Sequence, residues 1–182
     1  MIYMTNEEVK ALIDKYHLVR RGDKVGTYHT KGIDRDIFSQ EVGAHKAEIL
    51  AYFEAEEKAA AELREKRRTT FDAIPGVVKL RQARSQRAEW QREFNLMMET
   101  GSSKMRPVEA PTLDELEKLE SRYPMAVFAL EAEYRACATE NYQLSAIWNK
   151  TYDALCDGVA PDEVKSVHDA EMARYITEHI WD

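Results

Sequence analysis

Apolar residues recur every three or four positions along most of this chain, which is the spacing of amphipathic helices. Val9, Leu12, Ile13 and Tyr16 share one helical face. Thr5-x-x-Glu8 ahead of them has the spacing of a capping box, so a first helix is predicted there. The period then changes. His17–Arg20 and Val25–His29 are short β-branched and aromatic runs on either side of Arg21-Gly22-Asp23-Lys24, which predicts a small β-hairpin. Gly32–Asp36 reads as a turn, and Ile37, Phe38 and Val42 start a short helix.

Two long helical stretches follow, over residues 44–74 and 77–98, rich in Ala, Leu, Glu, Lys, Arg and Gln. Ile74-Pro75-Gly76 separates them, because proline followed by glycine does not continue a helix. An antiparallel helical hairpin is predicted. Ile49, Phe53, Glu56, Ala60, Leu63, Arg67, Thr70 and Ile74 form a heptad seam on the first arm. Leu80, Ala83, Arg87, Trp90, Phe94 and Met97 form one on the second.

Residues 101–111 hold two prolines and a glycine without periodicity, and read as a loop. Thr112-x-x-Glu115 is a second capping box, and Leu113, Leu116 and Leu119 point inward on a helix that stops near Tyr123-Pro124. From Val127 through Leu130, Tyr134, Cys137, Ala138, Tyr142, Ile147 or Trp148, and Leu155 an apolar stripe runs to about Cys156, ended by Asp157-Gly158. Pro161 opens a last helix with Val164, Val167, Met172, Tyr175, Ile176 and Ile180 inward. The fold class is mainly α: a small N-terminal β-hairpin, a long antiparallel helical hairpin and a C-terminal helical bundle. The divisions are 1–43, 44–100, the loop 101–111, and 112–182.

Charge sharpens this picture. The 182 residues carry a net charge of −7, unevenly distributed. Residues 64–106 hold eleven basic groups against five acidic ones, while residues 107–182 hold six against sixteen. Arginines crowded on adjacent arms need an anion between them. The candidates are phosphate, a partner's carboxylates, or the chain's own acidic third. Arg64, Arg67, Arg68, Arg81, Arg84 and Arg87 are the candidate contact surface for a partner or a nucleic acid. Trp90, Phe94, Met97 and Met98 fit either a base-stacking platform or a packed seam. The acidic third fits either plain solubility or a rigid imitation of DNA phosphates.

No phosphate-binding glycine loop, nucleophile elbow, Cys-x-x-Cys or His-Glu-x-x-His pattern is present. His168 and Glu171, three apart, with His179 beyond, are the nearest approach to a metal half-site. Neither an enzyme nor a cofactor or metal requirement is expected. Cys137 and Cys156 make no disulfide framework and are expected as buried free thiols. No apolar run approaches the roughly 20 residues of a membrane span, and the start MIYMTNEEVK lacks a signal-peptide pattern, so a cytoplasmic protein is expected.

Two resemblances complete the reading. Residues 5–55, ending in Ala44–Phe53, resemble small docking modules at the N-termini of larger assemblies and in short proteins of bacterial mobile elements. The whole chain is similar to anti-CRISPR proteins of phages and mobile elements of gut Firmicutes that act on the type II-A RNA-guided nuclease. That similarity lies in its size, the His17–Thr30 hairpin, the arm AHKAEILAYFEAEE and the closing Glu178–Asp182. It implies a stoichiometric inhibitor that binds a type II CRISPR effector nuclease, alone or with guide RNA or DNA, in the host bacterial cytoplasm. The alternative is a nucleic-acid-binding accessory or regulatory protein of a mobile element. Exposed seams make a homodimer a candidate assembly.

Overall fold

The computed structural model describes residues 4–28, 32–101 and 109–179. Over them the protein is mainly helical, with one two-stranded antiparallel hairpin. The chain divides into two compact units, Met1–Glu65 and Lys66–Asp182. The division falls inside a helix.

The first unit starts with α1 (Asn6–Tyr16), closed at its N-terminus by the predicted capping box. His17 adopts a left-handed conformation (φ 47°) and turns the chain out of the helix into β1 (Leu18–Arg21). β2 (Lys24–Thr27) pairs back on β1 through a turn containing Gly22, which takes φ 63°. α2 (Arg35–Ala44) is capped by Asp34, and α3 (Lys46–Asp72) follows after a break at His45. Val9, Leu12, Tyr16, Leu18, Val42 and Ile49 form the buried core. Tyr16 meets Phe38 edge-on at 5.2 Å and donates to Glu41 at 2.8 Å. Arg20 reaches from the hairpin to Glu54 and Glu57 on α3, both at 3.0 Å.

The second unit contains the end of α3, then α4 (Val77–Thr100), α5 (Leu113–Arg122), α6 (Pro124–Ala138), α7 (Tyr142–Cys156) and α8 (Pro161–His179). α6 lies at its centre, in contact with α4, α5, α7 and α8. Ala126, Ala129 and Ala132 on α6 are fully buried, so the neighbouring helices approach its backbone closely. Phe71, Ile74, Val77, Leu80, Leu130, Leu155 and Val164 fill the space around them. Ile74 and Val77 flank the Pro75-Gly76 turn, where sequence placed it, and Tyr123 at the α5–α6 junction packs against that turn.

Several inward positions require correction. The stripe from Val127 to Cys156 is two helices, because Thr139 and Glu140 interrupt it and the Asn141 side chain accepts from the Gln143 and Leu144 amides to start α7. Tyr134 and Cys137, in the last two turns of α6, and Tyr142, at the start of α7, are exposed. Cys156 is buried as expected, but Cys137 is not. Leu113, the first residue of α5, and Val167 and Ile176 on α8 are also exposed. The seam positions serve different neighbours. Ile49 and Phe53 belong to the first unit's core, Ile74 and Leu80 to the second's, and Leu63 is exposed. His29, Thr30, Lys104, Arg106 and Ile180–Asp182 lie outside the described residues.

Candidate interaction surface

The arginine cluster shows which of its possible anions it meets. Arg67 near the end of α3 pairs with Asp153 on α7 and lies 3.5 Å from Asp157. Arg81 on α4 donates to Asp72 at 2.5 Å and to both oxygens of Glu133 on α6, at 3.1 and 3.2 Å. Arg84, one turn on, places Nε and Nη2 at 3.0 and 2.8 Å from the same oxygen of Glu120 on α5. Arg68 lies 3.8 Å from Asp72 and is otherwise solvated. Arg87 stands over the Trp90 ring at 4.2 Å, and Trp90 stacks parallel on Phe94 at 5.2 Å. Arg64 is exposed and belongs to the first unit.

The six candidate arginines therefore do not form one open cationic ridge. Three of them tie α3 and α4 to carboxylates on α5, α6 and α7. Part of the basic stretch is thus paired with part of the acidic third across the second unit's own helix contacts. Charged hydrogen bonds of this kind orient helices. Part-exposed ones each contribute about 1 kcal/mol or less.

The proton affinities follow from the same contacts. The Asp153 hydrogen bond raises the Arg67 pKa. Burial works against the Arg81 charge, but Asp72 and Glu133 outweigh it, so its pKa also rises. Burial pushes the Tyr152 hydroxyl up to about 12 and raises the Cys156 thiol beside it. Both stay protonated at neutral pH. The exposed carboxylates Glu8 and Glu115 are lowered by the amides and hydroxyls of Thr5 and Thr112 that they cap.

His168 and Glu171 do not act together. His168 is buried between Trp148, at 4.2 Å, and Phe128, at 5.5 Å. Thr151 Oγ1 donates to the Ile147 carbonyl and lies 2.8 Å from His168 Nδ1. With that hydroxyl donating to the carbonyl, the neutral ring meets Thr151 as a donor from Nδ1. Glu171 pairs with Lys150, and His179 stacks on Tyr175 with Nδ1 2.9 Å from the Tyr175 carbonyl oxygen. Burial lowers the His168 pKa, with Lys165 adding to the effect and Asp169 and Glu171 opposing it. The unfolded chain therefore binds the proton more readily, starting near the ordinary histidine pKa of about 6.5. The neutral ring's contribution to stability is complete above that pH and is lost as pH falls through the lower folded-state value. Thermal melts should show His168→Gln losing less stability than wild type between pH 7 and pH 5. Equal losses would contradict this account of the ring.

Sequence reasoning found the arginines but not their partners, because Asp153, Glu133 and Glu120 lie 36 to 86 residues away along the chain. It also missed the groove between α1 and α3 in the first unit, lined by Val9, Glu48, Ala51, Ala55, Glu56 and Ala59 among others. Its signal was visible as alanines at 51, 55 and 59, one per helical turn. Among the described residues, no helix is long and apolar enough to cross a membrane. Comparison with protein-family models, with curated proteins and with solved structures found no match to this chain.

Proposed function

We propose that this protein is a non-catalytic inhibitor of a type II CRISPR effector nuclease, which it binds in the bacterial cytoplasm to block target-DNA binding or cleavage. One observation supports action by binding: from Glu54 to Glu65 every residue of α3 is exposed, a charged helix face open to a partner. The partner class rests on the similarity of size, N-terminal hairpin and alanine-rich arm to anti-CRISPR proteins.

A second reading, a nucleic-acid-binding accessory protein, draws on the Arg87–Trp90–Phe94 stack, an arrangement that suits contact with bases. One titration separates the two. Added to a guide-loaded type II effector, the protein should abolish DNA cleavage near one equivalent of inhibitor per binding site and co-purify with the effector. Salt-sensitive binding to DNA or RNA alone, with cleavage untouched, would favour the accessory protein.

A further inference from the structure

The first unit holds the most solvated stretch of helix in the described chain. From Glu54 to Glu65 every residue of α3 is exposed. Alanine, glutamate and lysine hold such a segment helical without packing, helped by the Lys58–Glu62 pair one turn apart. At its N-terminal end this face becomes the wall of a groove against α1, about 410 Å³ in volume. Val9 and the alanines at 51, 55 and 59 form an apolar floor. Glu48 and Glu56 stand at its rim.

The two sides of α3 use their carboxylates differently. Glu54 and Glu57 are paired with Arg20 of the β-hairpin. Glu56 accepts from the Tyr52 hydroxyl, at 2.9 Å, and Glu48 lies 3.7 Å from His45 Nδ1. Neither has a lysine or arginine partner among the described residues. Residues 46–65 carry six carboxylates against three cations, so the groove lies in a negative field.

We propose that the α1–α3 groove docks a lysine- or arginine-rich segment of a partner protein. Long basic side chains are apolar along the stem and charged at the tip. An alanine floor accepts the stems without steric obstruction, and carboxylates at the rim meet the heads. Phosphate, DNA and acidic peptides are repelled by the same field. This inference rests on the inhibitor reading and deepens it. The partner protein of that reading supplies the basic segment, and the carboxylates at the groove's rim supply the complementary charge.

The test uses the full-length chain and a guide-loaded type II effector. Ala55→Arg with Ala59→Arg fills the floor and reverses its charge with strong helix formers at exposed positions. Glu56→Gln is the conservative companion, keeping the shape and an acceptor for Tyr52. The double variant should melt as wild type and bind the effector at least about tenfold more weakly. Glu56→Gln should weaken binding by a smaller factor and flatten its salt dependence. If both variants bind and inhibit like wild type, the groove is not the contact, and the inhibitor reading stands. If wild type itself neither binds nor inhibits the effector, both proposals fall.

Discussion

Gly76→Ala is expected to destabilise the second unit by about 3 kcal/mol, from left-handed backbone strain and overpacking together. Gly76 has φ 90°, which an alanine adopts only with strain. The second term is steric. A Cβ at this position would lie 2.3 Å from Cγ and 2.6 Å from Cδ1 of Tyr123, closer than any relaxed contact. Tyr123 precedes Pro124, so its backbone is restricted and the ring has little freedom to retreat. The turn and the junction therefore interlock, with Ile74 and Val77 buried on either side. Urea unfolding of Gly76→Ala in wild-type and Tyr123→Gly backgrounds separates the two terms, glycine being needed because the Tyr123 Cβ itself would lie 2.7 Å from the new one. In the second background only the backbone cost of about 1 kcal/mol should remain. An equal cost in both backgrounds would show that the ring contributes nothing.

Arg81→Glu should cost about 2 kcal/mol, a figure already reduced for the partial solvation of all three groups. The guanidinium bridges Asp72, at the end of α3, and Glu133, on α6. It also covers the edge of the core, 5.6 Å from the Phe71 ring centroid. Glutamate here would set a third carboxylate beside two that have lost their cation. Neutralising the neighbours, with Asp72→Asn and Glu133→Gln, should return at least half of the loss. No recovery in that triple variant would mean that the guanidinium acts through packing alone.

Local signals in this sequence read well. Both capping boxes form, and the Pro75-Gly76 break, the β-hairpin and the Pro124 and Pro161 helix starts stand where residue chemistry puts them. Each depends on residues within about four positions of one another. The Asn141 cap was equally local, but apolar residues on both sides of Thr139-Glu140 masked it.

The candidate site was harder to read because charge counts carry no geometry. Eleven cations in one stretch and sixteen carboxylates in another describe an open polarised surface and a self-neutralised bundle equally well. Contacts between Arg67 and Asp153, or Arg84 and Glu120, pair part of the basic stretch within the bundle, and they depend on how α5 and α7 pack. The α1–α3 groove was hidden for the opposite reason. Alanine every fourth residue fits a packed seam as well as an open floor, and only the burial pattern distinguishes them.

The central claim is that the arginines hold the second unit together and that recognition lies elsewhere. Its most direct measurement is an inhibition titration with the exchanged pair Arg84→Glu/Glu120→Arg, after a melt confirms that the exchange restores the stability lost in Arg84→Glu. The account predicts full inhibition at the wild-type equivalence point. A restored fold with inhibition gone would contradict it and return Arg84 to the contact surface.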